Sequence, residues 1–317
     1  MAFGQLLRVA LAPSAVSDIF VGIAIGHAAG WPGDILPWLL IPASLGIYHG
    51  ALALNDWVDR AEDARTRPER PIPSGAIPAP VALTVAVLLM LGGIMWAVAA
   101  GPRAGAWMAV VAALAVLYDL AGRGPLRGPL LLGLCRAGNL GAGLASPWLV
   151  GATDSLHVAV LPLAALYGVH VFFIGRLGRL EDDEDSGDLA QRPTRALQGA
   201  GWALVLIPIA AATALGPVTA EEGSGSQEIM LGFLACCALA LWSAFVLLRR
   251  AREGSQEGWT RPAVGAATGL CLRRLPLLSA AIAATGAFVG PAAMAALVFA
   301  LVGARLSAAL RRTFPLT

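Results

Sequence analysis

The reading of this chain turns on residues 35–63, ILPWLLIPASLGIYHGALALNDWVDRAED. Its first twenty residues are almost wholly apolar, the length a helix needs to cross the hydrocarbon core of a bilayer, about 20 residues. The run then becomes acidic without a break. At roughly 3.6 residues per turn, Asn55, Asp56, Asp59 and Asp63 fall on one face of a continuing helix. Ionisable groups at the end of a buried span are costly and usually face a cavity. An oxygen-only set, with no His or Cys in it, suits a hard cation such as Mg2+, bound by a few carboxylates together with phosphate oxygens and water. The plain alternative is a solvated helix end whose carboxylates pair with Arg60, Arg65 and Arg67. His49, with no second His at ligand spacing, reads as a packed core histidine.

Working outward, the same apolar pattern fills the chain. Of 317 residues, 57% are hydrophobic and 13% charged, a balance that excludes a soluble domain of this size and places the chain in a lipid bilayer. Apolar runs recur at residues 11–30, 35–54, 80–100, 104–121, 128–150, 157–178, 196–217, 228–248, 263–289 and 291–310. In the ninth, Arg273, Arg274 and Pro276 predict a broken or partly re-entrant segment. The expectation is an all-α, polytopic membrane bundle of nine or ten transmembrane helices around a central cavity. No polar block is long enough to fold separately, so residues 1–317 read as one domain, with motif loops near 55–79 and 179–195. The N-terminal run reads as a first span rather than a cleaved signal. Cys135, Cys236, Cys237 and Cys271 lack CxxC spacing and read as small hydrophobes. A formal net charge of +2 with no basic stripe excludes nucleic acid as a partner.

All 22 basic residues are Arg. They gather after the second, fourth, sixth and eighth spans, at Arg60 to Arg70, Arg123 and Arg127, Arg176 to Arg195, and Arg249 to Arg261. By the positive-inside rule those loops and the N-terminus face the cytoplasm. Of the 20 acidic residues, 11 lie in two windows, Asp56 to Glu69 and Glu181 to Asp188. Both follow an even number of crossings and so share one side. Carboxylates crowded this way repel one another unless a cation neutralises them. The tail of the second window, Glu184, Asp185 and Asp188, also fits a solvated acidic loop.

The string Asn55-Asp56-x-x-Asp59-x-x-x-Asp63, followed by Arg67-Pro68-x-x-Pro71-Ile72-x-Ser74-Gly75-x-Ile77, resembles the first signature of the UbiA superfamily of intramembrane prenyltransferases. Tyr118 with the loop Arg123 to Arg127 resembles that family's loop after the fourth span. Glu181 to Gly187 falls where its second aspartate motif belongs. One departure stands out: aligned on Gly187, the second motif places Asp183 at its second Asp and Arg179 at its first. That feature, with Arg136 and Asn139 on one face of the fifth span, is similar to the EboC-like members.

The resemblance implies Mg2+-dependent transfer of a polyprenyl group from an allylic diphosphate to a small-molecule acceptor, aromatic or polyol-like. It implies Asn55, Asp56, Asp59, Asp63, Glu181, Asp182 and Asp183 as cation ligands, with Asp59, Asp63 and Asp183 central to catalysis. Arg67, Arg70, Arg123, Arg127 and Arg179 are the expected diphosphate contacts. Arg136 and Asn139 are expected at the acceptor cavity, since an unpaired Arg inside the membrane would cost roughly 2.5–3.5 kcal/mol. The segment from Arg60 to Pro80 is a candidate cap against water. The Asp-Gly-x-x-Ala-Arg string of the CDP-alcohol phosphotransferases, another metal-using membrane class, is absent. Arg179 keeps open a diphosphate-lipid binder or transporter without turnover, and a cyclase remains a third reading. The resemblance fits a bacterial plasma membrane.

Overall fold

The computed structural model describes residues 2–28, 35–122, 124–182, 189, 191–219, 226–287 and 291–313. Among them the chain forms helices α1 (Ala2–Leu6), α2 (Ala12–Ala28), α3 (Leu40–Val58), α4 (Arg60–Thr66), α5 (Ala79–Ala100), α6 (Pro102–Ala121) and α7 (Arg127–Leu144), then α8 (Ser146–Leu149), α9 (Leu161–Asp182), α10 (Arg192–Thr219), α11 (Ser226–Glu257), α12 (Arg261–Ala287) and α13 (Pro291–Thr313). Prolines open α5 and α6 in their first turn, where the missing N–H has no partner to lose. Leu88, Met95, Trp96, Val110, Trp202 and Phe245 are exposed on the outside of the bundle. Such a surface is stable only against lipid. The protein is an integral membrane protein, with seven helices long and apolar enough to span among the described residues and two shorter apolar helices, Val9–Ile25 and Ala293–Gly303.

The long helices pack in a closed ring in chain order, α13 returning to α2. Within it, α2 also contacts α7 and α12, and α12 contacts α9. Two apolar cores result. One is built mainly from α3, α5 and α6, the other from α9 to α13, and α2 and α7 contribute to both. The seam between them is tight. A Cβ added to Gly22 would lie 2.4 Å from the carbonyl carbon of Gly143, so α2 and α7 touch backbone to backbone, as small residues permit in membrane bundles.

Two expectations change. The segment around Arg273, Arg274 and Pro276 is not broken: Pro276 lies inside an uninterrupted α12. Arg274 is accommodated by a hydrogen bond to Ser243 Oγ at 3.3 Å and by the Trp242 ring, 5.0 Å from its guanidinium carbon. The fifth span ends early, at Leu144, because Pro147 cannot continue its ladder and starts α8 instead.

The seam generates a first prediction. Gly22→Ala lowers the thermal unfolding midpoint of the protein in detergent, by an overpacking cost of about 1–3 kcal/mol. Gly92→Ala, with nothing within 4 Å of the new Cβ, leaves the midpoint unchanged or raised.

Candidate active site

The apolar run of α3 ends where its side chains become acidic, yet the backbone hardly notices. Asp59 N–H donates to Asn55 O and Asp63 N–H to Asp59 O, each at 2.9 Å, so α4 continues the course of α3. Asp56 and Asp63 are thereby buried at 4% and 3% exposure. Asp56 Oδ1 accepts from Arg8 Nη2 at 2.8 Å, and Arg70 Nη1 lies 3.6 Å away. The same Arg70 nitrogen donates to Asp63 Oδ2 at 2.7 Å. These are charge-assisted bonds in a partly desolvated place, where such bonds are strong.

Both arginines are delivered by folded chain rather than by open loops. Arg8 has φ 45°, and no other described non-glycine residue has a positive φ. Left-handed backbone at a residue with a Cβ costs roughly 1–2 kcal/mol, and here it stands at the entry to the short 3-10 turn Val9–Leu11 that leads into α2. Arg70 sits in a sequence of turns after α4, closed by Arg70 N–H to Arg67 O at 3.1 Å and Ile77 N–H to Pro71 O at 2.9 Å. Gly75, at φ 75°, allows the reversal. Ile72 and Ile77 pin the segment into the apolar core. The stretch expected as a cap is thus a helix followed by anchored turns that fold Arg70 back over its own motif.

On the other side of the motif, Asn55 Nδ2 donates to Asp59 Oδ2 and to Asp119 Oδ1, both at 3.2 Å. Asp119 lies in the last turn of α6 and is buried. Its second oxygen, Oδ2, has no hydrogen-bond partner among the described residues. Neither Asp119 nor Arg8 was singled out from the sequence. The available signal for Asp119 was one carboxylate inside an otherwise apolar span, and Arg8 carried none beyond its charge.

The second acidic segment approaches the same end. Arg179, near the end of α9, donates from Nη2 to Gly122 O, just past α6, at 3.0 Å. Glu181 packs its carboxylate against Gly265 of α12, where any Cβ would collide with it. Arg67 and Arg127 are exposed at this end. Arg123 and Asp183 lie outside the described residues, as does the side chain of Asp182.

Among the described residues no three His, Cys, Asp or Glu side chains form a ready metal cluster. Mg2+ does not require one, because it typically takes one or two carboxylates and completes its shell with substrate phosphates and water. Asp59 and Asp119 both accept from Asn55 Nδ2, and together with Asp119 Oδ2, unbonded among the described residues, they fit a hard cation by donor type.

Arg136 and Asn139 do share one face of α7, but their polar atoms are directed inward. Arg136 donates to Asp18 Oδ2 and to Ser14 Oγ, both at 3.0 Å, and lies over the Tyr48 ring. Asn139 donates to Ala15 O and Asp18 Oδ2 at 3.2 Å and accepts from Ser44 Oγ at 2.7 Å. Tyr167 of α9 donates to Asp18 Oδ1 at 2.8 Å. The cost of an unpaired intramembrane Arg therefore does not arise, because Asp18 on α2 supplies the counter-charge. His49 is bonded to Leu7 O at 2.6 Å, consistent with a core histidine.

With this geometry in view, the comparisons with known proteins are specific. The model of the UbiA prenyltransferase family matches residues 19–263. The chain belongs to that family. The bacteriochlorophyll synthase 33 kDa chain of Cereibacter sphaeroides is 30% identical over 180 residues, covering 50% of this chain and 54% of the relative. The match thus spans about half of that protein. Among solved structures, one described as a digeranylgeranylglyceryl phosphate synthase in membranes superposes with TM-score 0.62 at 16% identity, covering 94% of this chain and 98% of the other. A UbiA homolog from Archaeoglobus fulgidus bound to GPP and Mg2+ gives TM-score 0.53 at 15% identity, covering 88% of this chain and 100% of the other. At these identities the likeness is one of UbiA fold.

The buried pair gives a second prediction. Arg136→Met leaves Asp18 without its cation and lowers stability by about 3–5 kcal/mol. Asp18→Leu combined with Arg136→Met recovers much of that loss. Thermal unfolding of the purified variants in one detergent measures both.

Proposed function

We propose that this chain transfers a polyprenyl group from an allylic diphosphate to a small-molecule acceptor, with Mg2+ required. The observation that carries the reading is the placement of the Asn55 to Asp63 oxygens beside Arg8 and Arg70 at one end of a membrane bundle of the UbiA family. Carboxylates to hold a cation and guanidinium groups to meet phosphate oxygens are what a lipid diphosphate demands. The relatives agree in kind: one is named a bacteriochlorophyll synthase, and one fold neighbour binds GPP and Mg2+.

In the proposed reaction the carbon–oxygen bond between the allylic carbon and the diphosphate breaks. A new bond forms from that carbon to the acceptor, and the acceptor loses a proton. When bound, Mg2+ would offset the negative charge that builds on the departing diphosphate. Asn55, Asp56, Asp59 and Asp63 would hold it, with Glu181, Asp182 and Asp183 contributing from the second segment. Arg70 bridges Asp56 and Asp63 in this structure and is placed to exchange a carboxylate for a phosphate oxygen; Arg67, Arg123, Arg127 and Arg179 are the further candidates. The anchored turns from Arg67 to Ile77 would limit water at the reacting carbon. Arg136 and Asn139, already engaged by α2 and α3, would form a rigid polar wall for the acceptor rather than free donors. We place the site on the cytoplasmic face from the distribution of Arg, take the membrane to be a bacterial plasma membrane from the family resemblance, and read residues 1–317 as one domain because no polar block interrupts the apolar runs.

A second reading, a binder of lipid diphosphates without turnover, is favoured by Arg179 standing where the resemblance calls for a carboxylate. One experiment separates the two. Purified protein is incubated with Mg2+ and prenyl diphosphates of increasing length, with aromatic and polyol acceptors, and diphosphate release is measured. Release is expected to need Mg2+ and to fall by at least about 10²-fold, the size of a lost electrostatic contact in an active site, in Asp59→Ala and Asp63→Ala. Mg2+-dependent binding without release at any length supports the binder. Arg179→Asp is expected to fold, and a gain of release in that variant identifies this position as the cause of the departure.

A further inference from the structure

We propose that Asp119 is a ligand of the divalent cation at this site, forming with Asp59 a carboxylate pair that spans the end of α3 and α6. This rests on the reading of the site as a cation-diphosphate centre and adds to it a residue outside both acidic segments.

Four observations converge on Asp119. Its carboxyl group is buried, at 8% exposure, and Oδ2 has no partner among the described residues. A buried polar atom left without a partner costs roughly 1–3 kcal/mol, so such an atom calls for a missing ligand. The other oxygen shares a single amide nitrogen with Asp59, each bond 3.2 Å. Two carboxylates brought to one N–H2 group repel each other, and a cation between them relieves that repulsion. Two guanidinium groups serve the neighbouring carboxylates: Arg8 donates to Asp56, and Arg70 to Asp63. Finally, Asp119 occupies the last turn of α6, where the helix dipole disfavours a negative side chain. It does nothing for its own helix there, which removes the ordinary structural reason for an acid at that position.

The consequence is mechanical as well as chemical. Two carboxylates from different helices, with the remaining coordination left to phosphate and water, match the way Mg2+ is usually held. A cation bound by Asp59 and Asp119 would clip α3 to α6, so binding should stabilise the folded protein in proportion to occupancy.

The test uses the full chain purified in detergent, with Mn2+ as the probe, alone and with inorganic pyrophosphate. Bound Mn2+ is counted by electron paramagnetic resonance, and the unfolding midpoint is followed against Mg2+. Wild type is expected to bind Mn2+ and to gain thermal stability with Mg2+. Asp119→Asn, nearly isosteric, is expected to weaken Mn2+ by at least about tenfold, the lower bound even for groups that only support a ligand, and to lose the Mg2+ stabilisation. Glu257→Gln, an exposed acid at the end of α11, should behave as wild type. Equal Mn2+ affinity in wild type and Asp119→Asn overturns the role of Asp119 and leaves the site reading intact. No Mn2+ bound to wild type, with or without pyrophosphate, overturns the site reading and the proposal with it. Should Asp119→Asn elute as aggregate, Asp119→Glu decides, since a displaced ligand oxygen shifts the Mn2+ affinity and spectrum and a bystander does not.

Discussion

The ion pair between Arg136 and Asp18 is the contact on which the rest of the arrangement depends. Both residues sit on the seam helices α2 and α7, which alone feed both apolar cores. Through Asn139 the pair reaches Ser44 of α3, and through Tyr167 it reaches α9. Those two helices carry the two acidic segments. A charge pair of this kind adds little net stability over apolar packing, because desolvation offsets its attraction. We read its contribution as register: in a greasy bundle α2 and α7 could slide past each other at small cost, but Arg136 finds a carboxylate at one height only. The glycine contact between Gly22 and Gly143 sets how near the helices come, and the ion pair sets where along their length they meet.

At the acidic end the governing constraint is charge balance. Asp56 and Asp63 are already satisfied by Arg8 and Arg70, whereas Asp59 and Asp119 share one neutral amide. The site is therefore unequal within itself. One pair of carboxylates is held by arginines that a phosphate group would compete for. Under the proposed reading the other pair would take the cation. A magnesium-diphosphate ligand, as proposed, would bring both kinds of charge at once.

Much of this was legible in the linear chain, and for local reasons. The presence and order of α3, α5, α6 and α10 to α13 follow from runs of apolar residues, and a helical period suffices to put Asn55, Asp56, Asp59 and Asp63 on one face. Where the sequence misled, a neighbouring helix had intervened. Pro276 and Arg274 read as a break, yet α12 runs through both, and Ser243 and Trp242 of α11 meet the Arg274 guanidinium. Arg136 gave no sign of its partner in the sequence, because its counter-charge lies 118 residues earlier in the chain.

What the sequence alone determined is residence in the membrane, the all-helical architecture and the first acidic face, because each is a property of hydrophobic run length or of a period of 3.6 residues. What only the tertiary structure decided is which charges meet. Arg8 reaches Asp56 across 48 positions, Asn55 reaches Asp119 across 64, and Tyr167 reaches Asp18 across 149. No spacing rule connects residues that far apart. Their meeting is set by how the ring of helices closes, and it is that closure which brings a lone carboxylate from α6 to the motif on α3.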